Sequence, residues 1–244
     1  MNTHNLPTSV IDNAAMHVDQ FNNIIEQIPY EEKGVLYSEI FFIWLCLRES
    51  KPNRILESGR ARGQSTLLLS HCFPDTEIIS VEFEEGTEDA KIANDRLSDR
   101  DNVTLLFGDS TERLQEIAQP GDIAFIDGPK GYRGLRLAVR MLSTHKIPYV
   151  FMHDTFPGSH ERRYLEHRIP DTFYSDHPQI ASIAHQLDLG IIDNIPETNR
   201  WPPSDSYGYG CSMACIPYDE SANYTLLLLK AILDGIYYRH FKKS

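Results

Sequence analysis

The chain of 244 residues has no basic surplus, no long apolar run and few cysteines. Asp and Glu number 35 against 23 Lys and Arg, which gives a formal net charge of -12 and a pI near 5.2. Binding to a nucleic-acid backbone needs a basic stripe to neutralise phosphates, so no nucleic-acid partner is expected. The densest apolar stretch, Ile40 to Leu47, is too short to span a bilayer, and the polar N-terminus lacks the basic start and apolar core of a secretory signal. No membrane association is expected. The four cysteines, Cys46, Cys72, Cys211 and Cys215, match no zinc spacing, and a chain of this size needs no disulfide staples. The expectation is a reduced, cytoplasmic compartment. With no internal repeat or low-complexity segment, the composition is that of a globular chain with a sizeable core and a small-molecule partner.

What is present is an alternation of elements. Apolar residues at helical spacing from Ile11 to Ile28 predict a first helix ended by Pro29, and a more apolar helix is predicted from Val35 to Glu49. Residues 1–50 thus read as an N-terminal helical cap within the same domain as residues 51–244. Short β-rich runs then alternate with helical stretches: Arg54–Leu56, Glu77–Phe83, Val103–Phe107, Asp122–Asp127 and Tyr149–His153. Such alternation implies a parallel sheet covered by helices on both faces. The runs Leu189–Asp193 and Cys211–Pro217 are expected to close it as an antiparallel pair. The fold class is therefore α/β, a Rossmann-like, doubly wound, seven-stranded sheet with its last strand antiparallel.

Between the first strand and its helix lies Glu57-Ser58-Gly59-Arg60-Ala61-Arg62-Gly63-Gln64-Ser65. A strand, a tight glycine-bearing loop and a helix present backbone N–H groups to a small ligand. A dinucleotide fingerprint wants glycines at the first, third and sixth places of the loop, and Gln64 stands at the sixth. The pattern of an acid followed by small residues at every second place fits better, with Glu57, Gly59, Ala61 and Gly63. Glu82, followed by Phe83, ends the next strand where an acid commonly bridges ribose hydroxyls. Asp109 and Ser110 follow the third strand, where they can address an adenine amino group. Asp127 ends the fourth, in Asp127-Gly128-Pro129-Lys130, and His153-Asp154 ends the fifth.

Over roughly Gly34 to Thr155 this set resembles the class I S-adenosylmethionine-dependent methyltransferases, and most of all the catechol- and caffeoyl-CoA-type O-methyltransferases and their antibiotic-sugar relatives. The resemblance implies S-adenosyl-L-methionine as cofactor, held by Glu57, Gly59, Ala61, Gly63, Ser65, Glu82, Phe83, Asp109, Ser110 and Asp127. It implies a hydroxyl acceptor, Lys130 as base, and Asp127 with Asp154 as ligands of a divalent cation such as Mg2+. The asparagine that usually follows the second aspartate is replaced by Thr155. His153 either orients the substrate, serves as base without a metal, or is a satisfied residue at a strand end.

Other residues keep open readings. Arg60 and Arg62 either clamp an anionic acceptor or the cofactor's carboxylate, or are solvated loop charges with acidic neighbours. His160, Arg162, Arg163 and His167 line an acceptor pocket or an exposed helix face. Trp201, Tyr207 and Tyr209 form a lid or pack back on the domain. The last helix, Ala222 to Phe241, buries its apolar face in a homodimer or on its own sheet. A nicotinamide-dependent oxidoreductase and a non-catalytic protein of the same fold are the competing functions.

Overall fold

Alternating apolar residues along the strands decide the architecture. The computed structural model describes residues 13–31, 33–192 and 213–241. Among these, the strands are β1 (Arg54–Ser58), β2 (Glu77–Glu82), β3 (Val103–Phe107), β4 (Ile123–Ile126), β5 (Tyr149–Met152), β6 (Phe173–Tyr174) and β7 (Ala214–Pro217). They form one sheet in the order β3-β2-β1-β4-β5-β7-β6, with β7 antiparallel to both neighbours and every other pairing parallel. After a 3-10 turn at Ala14–His17 come the helices α1 (Val18–Ile25), α2 (Tyr37–Leu47), α3 (Gln64–Cys72), α4 (Glu88–Leu97) and α5 (Ser110–Ile117). The remaining helices are α6 (Tyr132–His145), α7 (His160–Arg168), α8 (Pro178–Ile192) and α9 (Tyr224–Phe241).

Ile55, Ile78, Phe125 and Phe151 point to one face, where they pack with α1, α2, α3 and α8. Their neighbours Leu56, Ile79, Ala124 and Val150 point to the other, beneath α5, α6, α7 and α9. Period-two burial on both faces is what a covered parallel sheet requires. Because β1 lies between β2 and β4, successive crossovers leave it in opposite directions, and the crevice that this opens at the carboxyl edge is where such folds bind ligands. The N-terminal segment belongs to this core. Phe41 of α2 meets Phe21 edge-on at 5.1 Å and Phe42 meets Phe151 of β5 at 6.1 Å.

Two expectations are corrected. The run Leu189 to Asp193 is not a strand, because α8 continues to Ile192, with Ile180, Ile183, Leu187 and Ile191 buried at helical spacing; Asp193 lies outside the described residues. The sixth strand is Phe173–Tyr174, paired with Cys215 and Ala214, and two residues are too few to show a period. The helix expected over Ile11–Ile28 is the 3-10 turn followed by α1, and Ile11 lies outside the described residues. So do Trp201, Tyr207, Tyr209 and Cys211. Among the described residues no helix is long and apolar enough to cross a membrane.

Candidate active site

The loop after β1 is shaped by backbone conformation. Gly59, Ala61 and Gly63 have φ of 89°, 45° and 78°, so the chain turns left-handed at each small residue. At Gly59 a Cβ would stand 2.8 Å from the Gly128 nitrogen and 3.1 Å from the Asp127 carbonyl carbon, so the loop lies directly against the end of β4. The N–H groups of Arg60 and Ala61 both donate to Glu82 Oε2, at 3.0 and 2.8 Å, and the Phe83 N–H donates to Oε1 at 2.7 Å. Glu82 is thereby fixed at the mouth of the crevice with acceptor capacity to spare, and Phe83 beside it is 63 % exposed. Asp109 caps α5, accepting from the Thr111 N–H at 2.9 Å, and pairs with Arg133 at 3.1 Å. Ser110 Oγ is 3.4 Å from the Gly128 carbonyl, which it can reach as donor.

Glu57 lies beneath this surface. It is fully buried among the hydroxyls of Ser65, Thr66 and Ser80, the last donating at 2.5 Å. Burial raises its pKa against those hydroxyls and the nearby Arg60. Arg60 is buried too, which excludes both the clamp and the solvated-charge readings for it. Its Nη1 donates to the Ser80 carbonyl at 2.7 Å and its guanidinium lies 5.0 Å from the Phe107 ring centroid. Burial lowers its pKa against the pull of Glu57 and Glu82. Arg62 is a loop charge with acidic neighbours, bonded to Asp89 at 2.8 Å and Glu31 at 2.9 Å. Glu31 also meets Arg96 at 3.5 Å, so this network ties the N-terminal segment to α4.

The densest chemistry sits where β4 and β5 end. The His153 N–H donates to the Ile126 carbonyl at 2.9 Å, holding the two strand ends side by side. His153 follows Phe151 by two residues and so faces α2, where Glu39 precedes Phe42 by three. The same packing that joins the two phenylalanines therefore joins Glu39 to His153, with Nε2 3.0 Å from Oε1. The other ring nitrogen is 3.1 Å from both Asp127 and Asp154. Asp154, at φ 60°, turns its carboxylate back over the edge, where Lys130 Nζ lies 2.7 Å from it and 2.5 Å from Asp127.

These distances set the charges. Burial alone would lower the pKa of His153, yet Glu39, Asp127 and Asp154 raise it well above its usual value. Lys130 is raised likewise by Asp127 and Asp154 against desolvation. Asp154, despite burial, is pulled far below the carboxylate range by His153 and Lys130. Three carboxylates thus enclose an imidazolium and an ammonium, and in this arrangement neither Lys130 nor His153 is a free base. Glu39 was not singled out from the sequence. Its signal is the one charged residue in the stretch Tyr37–Leu47, now 4 % exposed.

Ligand atoms of Asp127, His153 and Asp154 lie within 4.8 Å of one another, close enough to surround a cation. The donor set does not fit a divalent ion as it stands. The space between the carboxylates is taken by Lys130 Nζ, and Thr155 is fully buried, its Oγ1 3.4 Å from the Met152 carbonyl. The helix residues noted in the sequence lie elsewhere. Arg162 pairs with Glu166 and Asp176 and covers the Tyr174 ring at 3.2 Å. His160, Arg163 and His167 line a groove of about 260 Å³ between α7 and α9.

Residues 56–155, which run from β1 to the turn after Asp154 and hold the loop, Glu82, Asp109 and every cluster member except Glu39, match a family described as "Methyltransferase domain". The match spans less than half of the chain, and it covers the strands and loops that carry the site. Solved structures that resemble the chain include an SAH-bound methyltransferase from Podospora anserina, at 16 % identity and TM-score 0.48 over 90 % of this chain and 91 % of that one. The O-methyltransferase TomG from Streptomyces achromogenes matches at 15 % identity and TM-score 0.48, over 90 % and 100 % of the two chains. An O-methyltransferase from Bacillus cereus matches at 16 % and 0.47, over 86 % and 90 %. Within the matched residues the glycine loop and the charge cluster share one edge and touch at Gly59 and Asp127.

Proposed function

We infer that the protein is a cytoplasmic S-adenosylmethionine-dependent methyltransferase acting on a hydroxyl of a small acceptor, with residues 1–50 serving as a cap built into the same folding unit. The observation that carries this reading is the contact of the left-handed Gly59 loop with the strand end that bears Asp127 and Lys130. The residues fit the cofactor: a loop that a Cβ would block, an anchored acid for ribose hydroxyls at Glu82, an exposed aromatic at Phe83, and polar groups at Asp109 and Ser110. Gly63 and Ser65 shape the start of α3, and Glu57 supports the loop from below. When bound, the cofactor supplies an electrophilic methyl group on a sulfonium.

The chain's own residues align the acceptor and take its proton. Lys130 Nζ faces the acceptor oxygen and stabilises negative charge as it develops there. The proton passes to the Asp127 carboxylate, whose Oδ1 lies 2.5 Å from Lys130 Nζ and so beside the acceptor oxygen. His153, held between Glu39 and the two aspartates, fixes their positions. A cation-assisted reading is favoured by the proximity of Asp127, His153 and Asp154, and requires Lys130 to leave and His153 to lose its proton.

The test is calorimetric titration with S-adenosylhomocysteine, followed by assay of its release in the presence of the cofactor and a panel of phenols and sugars. Binding with turnover on a hydroxyl acceptor supports the reading. A folded protein that gives no heat overturns it, and stabilisation by NAD(H) instead would point to the oxidoreductase.

A further inference from the structure

The outer face of α9 carries an apolar stripe that the described fold does not cover. Leu227 and Ala231 of this helix are buried in the core shared with α6, and Gly235 brings the helix so close that a Cβ there would lie 3.1 Å from Tyr132. On the opposite side Leu226, Leu229, Leu233 and Ile236 are 45, 53, 63 and 51 % exposed. Their spacing of three, four and three residues keeps all four on one side of the helix. Single exposed leucines are ordinary, whereas four large aliphatic residues in one row form a patch on the order of 400 Å², the size at which such patches mark interaction surfaces.

We propose that this face joins two copies of the chain, α9 packing antiparallel against α9 about a twofold axis at the level of Ala231. The sequence order of the stripe is symmetric about that residue. Leu226 lies five before it and Ile236 five after, Leu229 two before and Leu233 two after. An antiparallel copy therefore sets Leu226 against the second copy's Ile236, and Leu229 against its Leu233. Each contact occurs twice, as an isologous interface requires.

The flanks agree with this register. Lys230 and Asp234 are one turn apart on the same border of the stripe. In an antiparallel pair like borders meet, so Lys230 of each copy comes beside Asp234 of the other. The stripe and its polar borders together approach the ~800 Å² per partner that a stable interface buries. A foreign helix would need no such symmetry, and that is why a second copy is the occupant.

The test is the mass of the full chain by light scattering after size exclusion, read across micromolar concentrations. The expected result is twice the chain mass of 28.0 kDa. Leu229→Glu, at an exposed position, should return the monomer with an unchanged circular dichroism spectrum. Lys230→Asp and Asp234→Lys should each raise the dimer dissociation constant about tenfold, and the double exchange should restore it, because the pair is then re-formed with its charges reversed. A wild-type chain that is monomeric throughout overturns the proposal. So does a dimer that is indifferent to Leu229→Glu, or a double exchange no better than either single change.

Discussion

Asp188 gives the sharpest test of how charges are buried around the cap. It sits in α8 with no exposed surface, accepting from the Ser38 N–H at 3.2 Å and from the Ser38 hydroxyl at 2.5 Å. Burial raises its pKa from 3.8 to about 7, with the Ser38 bonds pulling down and the Glu39 charge pushing further up. The native state therefore keeps a proton that the unfolded chain has already released. Stability from this group is complete below the ordinary carboxylate range and is lost as pH rises towards 7. The rise from 3.8 to about 7 corresponds to ~4 kcal/mol in all, of which ~3 kcal/mol falls between about pH 5 and about pH 8. Asp188→Asn keeps the shape and the Ser38 contacts without the titration. Thermal unfolding of both proteins across that range should show the wild type losing about 6–12 °C more than the variant, at ~2–4 °C per kcal/mol for a chain of this size. His153, also raised, contributes a loss in the same direction, but it does so in both proteins and cancels in the difference. Parallel melting curves for the two proteins would refute the reasoning.

Other outcomes follow from the site. Gly59→Ala places a methyl group against Asp127 and Gly128 at a positive φ, which should cost about 2–5 kcal/mol and weaken S-adenosylhomocysteine binding in calorimetry. Lys130→Ala should leave that binding intact while lowering methyl transfer roughly 100-fold, and Lys130→Arg should recover part of the rate; a normal rate in Lys130→Ala would remove the ammonium from the mechanism. Chelation with EDTA should leave the rate unchanged, whereas a strict requirement for added Mg2+ would restore the cation-assisted reading. Glu39→Gln removes one of the carboxylates that keep His153 charged, so the midpoint of its NMR-monitored titration should move to lower pH.

Much of the fold was legible because its determinants are local. Small residues at Gly59, Ala61 and Gly63 follow from backbone angles that other residues resist, and the alternation of strand and helix follows from apolar period. Leu189–Ile192 was misread because a short apolar run satisfies either element, and Ile180, Ile183 and Leu187 had to be counted with it. Phe173–Tyr174 gains its strand character from β7 alone. The cluster was half visible: Asp127, Lys130, His153 and Asp154 lie at strand ends, where function is expected, but the protonation of His153 depends on its neighbours there and on Glu39, more than one hundred residues away in sequence. Arg60 and Arg62 look alike in sequence and differ in space, since the turn at Ala61 sends one under the sheet edge and the other towards Glu31 and Asp89.

The origin of Glu39 outside residues 56–155 bears on how this protein can be altered. The helix that contributes it also contributes Phe41 and Phe42 to the core, so the segment before the glycine loop is not an exchangeable module. Exchanging this helix for another would withdraw a charge from His153 and two rings from the interior at once. The protonation of the site and the folding stability of this chain are thus inherited together through one turn of helix.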